Sequence, residues 1–280
     1  MKQAELGAGT VDVSTRKVTG AKATACADVL SVEEPVEVRL TADVSGQRMT
    51  QAVAVTMRTP GEDRELAAGF LFTEGIISEP GQIEEISEPD CNVVNVTLRA
   101  GVAVDRSVFE RHSFVASSCG VCGKKSIDAV NHRRSYKLAG AEPQISAQVI
   151  HKLPALLRAA QASFASTGGI HASGLFEASG KLLLVREDVG RHNALDKLIG
   201  SELLRGALPL VDRILLVSGR ASFELVQKAA HAGIPIMAAV GAPSSLAVEL
   251  AQESGMTLLG FVRDERFNIY CGVQRIITAD

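Results

Sequence analysis

The sequence predicts an α/β protein, α+β overall, in which a β-rich N-terminal region precedes a larger C-terminal unit of alternating strands and helices. Two observations carry this. "RILLVS", "IPIMAAV" and "MTLLGFV" are continuous apolar runs separated by the helical stretches "SFELVQKAAHAG" and "SLAVELAQES". Strands that are apolar throughout, joined by helices of that length, mark a parallel sheet covered on both faces. Upstream, "VEVRLTADV" (36–44) and "QAVAVTM" (51–57) alternate apolar and polar residues around a Ser-Gly-Gln turn, the pattern of a hairpin with one buried face.

The other elements follow in order. Residues 1–30 show little periodicity and read as a loose arm. In "TPGEDRELAAGFLFTEGII", Thr59 is placed to cap a helix, with Pro60 at its first position and acids in its first turn. "NVVNVTL" (92–98) and "HSFVAS" (112–117) read as strands. "SAQVIHKLPALLRAAQASF" is an amphipathic helix, bent or restarted near Pro154. "HASGLFEA" and "KLLLVRE" flank Ser179-Gly180 as a second hairpin, and a helix runs from about Gly190 through "RHNALDKLIGSELL". The chain thus divides into an arm (1–30), a β-rich region (31–117), a cysteine loop and linker (118–145) and an α/β domain (146–280).

Composition narrows the function. With 46% hydrophobic and 22% charged residues, 280 residues can bury a sizeable core. A net charge of −3, no Trp and two Tyr argue against a general nucleic-acid binder. The N-terminus has no apolar signal region, and the longest apolar run, around "IPIMAAVGAP", is too short to cross a bilayer, so no membrane association is expected. Of five cysteines only Cys119 and Cys122 lie close together. That is no disulfide framework and fits a reducing, cytoplasmic location.

Three chemistries compete for "SSCGVCGKKS" (117–126). Structural zinc takes four ligands, and no second pair of matching spacing exists. A thioredoxin-type dithiol follows a hydrophobic strand, whereas this lead-in ends polar and Gly120 and Gly123 loosen the segment. A thiolate that accepts and hands on a group needs nearby cations, which Lys124 and Lys125 supply. From Asp105 to Lys137, seven Lys or Arg stand against three acids, a net +4 inside a chain of net −3. The arginines alone read as a solvated face. Together with the cysteines the stretch reads as an anion-attracting patch around a carrier thiol.

Further along, "REDVGRHNALDKLIG" (186–200) would, with Asp188 as cap, put His192 and Asp196 on one helix face, so that a carboxylate orients the imidazole. An ordinary capped helix with spaced ion pairs fits as well. "VSGRASFE" (217–224) is a strand end, a glycine turn and a helix start. That arrangement aims backbone N–H groups at an anion, with Ser218 and Gly219 in the turn and Arg220 as a bidentate phosphate partner. "VGAPSSLA" (240–247) repeats the geometry one unit later, and both loops should face one cleft at the carboxyl ends of the strands. "FVRDERF" (261–267) leaves the next strand, and the three stretches together point to a phosphate-bearing ligand. In "STGGIHASGLF", Ser173 stands where a zinc deaminase has its general-base Glu, which disfavours deaminase chemistry.

These blocks, in order, resemble the FdhD family, accessory sulfurtransferases required for active formate dehydrogenases; the likeness covers about residues 30–277. The resemblance implies a cytidine-deaminase-like three-layer C-terminal domain with a smaller β-rich N-terminal region, and a homodimer. It implies that a cysteine desulfurase loads sulfur as a persulfide on Cys119, with Cys122 its partner. The sulfur then passes to a molybdenum (or tungsten) bis-molybdopterin guanine dinucleotide, bound as substrate, before insertion into formate dehydrogenase, the client. It places that cofactor on Phe261, Val262, Arg263, Asp264, Glu265 and Arg266, and implies no tightly bound metal of the protein's own. The alternatives are a cofactor-binding chaperone without sulfur transfer and a zinc-dependent deaminase-like hydrolase.

Overall fold

The computed structural model describes residues 9–44, 46–110, 136, 138 and 140–278. The strand expected at 112–117 and the Cys119 and Cys122 motif lie outside the described residues.

Where a loose arm is expected, the first element among the described residues is a two-stranded antiparallel ribbon, β1 (Thr10–Thr19) and β2 (Lys22–Ser31). The Gly20 turn, at φ 61°, closes it. The expected hairpin follows as β3 (Glu34–Val44) and β4 (Gln47–Arg58), which join β5 (Ile83–Asp90) and β6 (Val93–Leu98) in a sheet of order β4-β3-β6-β5. Alternation decides its inner face: Val36, Val38, Leu40, Ala42 and Val44 of β3 are all buried.

Between β4 and β5 lies helix α1 (Asp63–Thr73). It begins four residues beyond the expected cap at Thr59, behind a left-handed Glu62 (φ 53°). Thr59 is engaged elsewhere. Its N–H donates to Asp188 Oδ2 (3.2 Å) and its hydroxyl accepts from the Val189 N–H (3.2 Å).

After the short helix α2 (Arg106–Glu110) and the two-residue strand β7 (Ile145–Ser146), the C-terminal part builds a six-stranded sheet of order β13-β12-β11-β10-β8-β9. Its strands are β8 (His171–Glu177), β9 (Leu182–Asp188), β10 (Arg213–Val217), β11 (Ile236–Ala239), β12 (Thr257–Arg263) and β13 (Arg266–Cys271). The apolar trio β10, β11 and β12 is parallel, as their composition demands; at its flanks β13 pairs antiparallel with β12 and β8 with β10, while β9, antiparallel to β8, runs in the direction of the trio.

On one face packs α3 (Ala147–Ala160), whose Ile150, Leu153 and Leu157 meet Ile214, Leu216, Ile236 and Ala238. Pro154 sits inside α3, and the helix breaks instead at Gln161 before α4 (Ala162–Thr167). On the other face lie α5 (Arg191–Leu204), α6 (Phe223–His231) and α7 (Ser245–Ser254), over Leu215, Val217, Met237 and Ala239. Adjacent residues of one strand thus serve opposite layers.

The two sheets are tied through α1 and α5, which cross backbone against backbone. A Cβ on Gly69 would stand 1.9 Å from the Asp196 carbonyl oxygen, and one on Gly200 1.9 Å from that of Glu65. No described helix is long and apolar enough to cross a membrane.

Candidate functional site

The loops following β10 and β11 meet, as their strand order requires. Ala221 N–H donates to Ala242 O (3.1 Å), Ser244 N–H to Ala221 O (3.0 Å) and Gly241 N–H to Gly219 O (2.9 Å). Glycine is needed at 241, where a Cβ would lie 3.0 Å from Gly219 O. Phe261 joins the same rim through its N–H, which donates to Gly241 O (3.1 Å), and it adopts a left-handed φ of 54° to do so. The structure therefore brings Ser218, Gly219, Arg220 and Phe261 together.

Their side chains divide. Arg220, Phe261, Arg263, Asp264, Glu265 and Arg266 are exposed. The Val262 side chain does not join them: alternation along β12 turns it into the core, fully buried against the α3 layer. The Ser218 hydroxyl is spent in part on structure, accepting from the Ala172 N–H (2.9 Å) and locking β10 to β8.

His192 lies in the first turn of α5. Its carboxylate partner is not Asp196, as the spacing suggests, but Glu224 on α6, whose Oε2 is 2.8 Å from His192 Nε2. Asp196 faces the interior instead, bonded to Lys228 Nζ (2.7 Å) and Thr73 Oγ1 (2.8 Å). A carboxylate can only accept, so Nε2 carries the proton. Nδ1 is left buried without a partner. Beside it, Arg191 Nε is also buried and unpartnered.

The N-terminus of α5 has Gly190 as its cap residue and no side-chain cap. Asp188, expected as the cap, clamps the turn from two residues earlier. Its Oδ1 accepts from Gly190 N–H (2.8 Å) and Asn193 Nδ2 (3.1 Å), and its Oδ2 meets Lys197 Nζ (2.9 Å). Burial pushes the Asp188 carboxyl up, and Lys197 opposes that shift. The Lys197 ammonium also donates to Thr59 O (2.9 Å), so this buried pair fixes where β4, β9 and α5 meet.

The missing Cβ of Gly219 gives room to His171: an added one would lie 3.4 Å from His171 Nδ1 and 4.0 Å from Arg191 Cδ. Burial, then the charges of Arg191 and His192, hold the His171 pKa below its ordinary value, so the imidazole is neutral at pH 7.

From His171 and Ser218 a cleft of about 580 Å³ runs under α3 and α4, past Leu157, Gln161 and Val240. On its wall the Arg158 guanidinium stacks 3.7 Å above the Phe164 ring centroid. Gln161 is 4% exposed, yet its Nε2 has no partner. Sequence reasoning missed Glu224, Arg191, Gln161 and the Arg158–Phe164 stack. Only an acid in the first turn of α6 hinted at the first. The deaminase position, Ser173, is buried in β8 with no partner for its hydroxyl.

Fold and rim together define a three-layer α/β protein whose cleft opens at the carboxyl edge of a mixed sheet. The chain belongs to the FdhD/NarQ family, which matches residues 32–277. It is 48% identical over 259 residues to a sulfur carrier protein FdhD of Streptomyces avermitilis, with 89% of each chain covered. It is 49% identical to that of Mycolicibacterium paratuberculosis, covering 92% of this chain and 96% of the relative. The protein of the same name from Saccharolobus solfataricus is 40% identical, covering 89% and 91%. A crystal structure of a candidate formate dehydrogenase accessory protein from Desulfotalea psychrophila superposes with a TM-score of 0.76 at 25% identity, covering 96% of this chain and 100% of that one.

Proposed function

We propose that the chain is a sulfur carrier for the maturation of formate dehydrogenase, built on a deaminase-like scaffold. The observation that carries the reading is its identity of 48% and 49%, over most of each chain, to proteins named sulfur carrier protein FdhD. In this reading the Cys119 thiolate attacks the terminal sulfur of a cysteine desulfurase persulfide. The S–S bond of the donor breaks, its cysteine leaves as thiolate, and Cys119 holds the extra sulfur. Cys122 then attacks the Cys119 sulfur. A Cys119–Cys122 disulfide forms, the terminal sulfur departs at the sulfide level, and a thiol reductant restores the pair.

The acceptor is the metal bis-molybdopterin guanine dinucleotide, a substrate with pyrophosphates and planar heterocycles. Three features fit such a molecule. The uncapped N-terminus of α5 offers free N–H groups, with the unpartnered Arg191 Nε beside them. Gln161 and the Arg158–Phe164 stack offer a donor and a flat wall to a heterocycle. A neutral His171 stands between the two. Complementation of a strain lacking the endogenous carrier tests the reading. Cys119→Ala should leave formate dehydrogenase inactive, and full activity in a protein lacking both cysteines would reduce the chain to a cofactor-binding chaperone.

A further inference from the structure

We propose that the β1–β2 ribbon is a docking arm that places its basic tip in an acidic cleft of a second copy of this chain, each copy receiving the arm of the other. The ribbon precedes the region matched by the family and plays no part in the site above. Every residue from Ser14 to Asp28 is exposed, on both faces. An isolated two-stranded ribbon is marginal in water, so contact with another molecule is what would keep this one ordered. Between Ser14 and Ala27 the charged residues are Arg16, Lys17 and Lys22, with no acid.

The complementary surface is on the same chain. A cleft of about 470 Å³ is lined by six carboxylates, among them Glu62, Glu88 and Asp90, against two arginines, Arg58 and Arg64. Asp63 is bound to Arg58 (2.7 Å) and Glu65 to Arg186 (2.5 Å), whereas Glu88 and Asp90 are exposed and pair with no cation among the described residues. Arg58 is 3% exposed. Its Nη1 lies 3.6 Å from Glu34 Oε2 and makes no hydrogen bond, leaving a donor for a carbonyl of an incoming turn.

Geometry forbids the arm from serving its own cleft. The ribbon is rooted beside it. Val32 N–H donates to Gly9 O (3.0 Å), and Gly9 abuts Thr59, the residue before the Pro60 and Gly61 that line the cleft. Ten residues of strand, at about 3.4 Å each, carry the tip roughly 34 Å away. Root beside cleft and tip far from it is the arrangement a two-fold axis satisfies, with one arm–cleft contact made twice.

Sedimentation velocity on the full chain tests this, with R16E/K17E/K22E, with E88K/D90K and with the five substitutions combined. All five residues are exposed, and far-UV circular dichroism checks that the fold persists. The wild type is expected to be a dimer that added salt weakens. Each charge reversal alone should raise the dissociation constant at least about tenfold, and the combination should restore it. Independently, Ala21→Cys is expected to cross-link between copies to Cys91, which is exposed in the cleft, and A21C/C91S is not. A wild type that stays monomeric, a dimer indifferent to both reversals, or a combination that fails to recover would overturn the proposal and assign the arm to a different partner.

Discussion

Glu224 Oε2 stands 2.8 Å from His192 Nε2, so the first turn of one helix sets the tautomer of a histidine in the first turn of the next. The consequence is a buried Nδ1 with no hydrogen-bond partner. Glu224→Gln keeps the size but lets the side chain donate, freeing the imidazole to flip. Calorimetric binding of guanosine diphosphate, a fragment of the proposed substrate, is expected to weaken about tenfold in this variant and more in His192→Ala. Unchanged binding in both would remove His192 from the site.

The pair Asp188–Lys197 is fully buried, both side chains at 0% exposure. Asp188→Asn would leave the buried ammonium with only the half-exposed Glu62 carboxylate, 3.6 Å away, as counter-charge. Such a loss costs about 3–5 kcal/mol. Chemical denaturation should show it as a lower midpoint at unchanged slope.

Gly69→Ala and Gly200→Ala should each force α1 and α5 apart, since a methyl group there would overlap a carbonyl oxygen at 1.9 Å. A destabilisation of about 3 kcal/mol or more is expected in thermal unfolding, against little effect at the open turn of Gly101 when the replacement is Asn, which tolerates a positive φ.

Acid should expose His171. Its pKa lies below the ordinary 6.5 in the folded chain because burial disfavours the cation. The stability this contributes is fully present above about pH 6.5 and is lost as the pH falls through the lower folded-state value. Thermal midpoints taken from about pH 7.5 down to about pH 5 should therefore fall less in His171→Gln than in the wild type. Parallel curves would contradict this.

Local patterns carried the core of the fold into view. The apolar runs at β10, β11 and β12 and the alternation of β3 reflect burial on two faces and on one, and burial is written in composition. What stayed hidden depends on partners distant in the chain. Thr59 and Pro60 look like a helix start, but the Thr59 amide is taken by Asp188, 129 residues away. His192 and Asp196 share spacing, yet the packing of α6 hands one to Glu224 and the other to Lys228. Val262 was grouped with its exposed neighbours because a motif is read as a block, whereas a strand alternates. The ribbon β1–β2 buries neither face along most of its length, so it leaves no hydrophobic period to read.

The most direct measurement is the mass of the intact protein after incubation with a cysteine desulfurase and cysteine. The wild type should gain about 32 Da, the mass of one sulfur, lost again on treatment with dithiothreitol. Cys119→Ala should gain nothing, while Cys122→Ala should load but fail to release sulfide. A wild type that never acquires the adduct, or a Cys119→Ala protein that acquires it in full, would contradict the account.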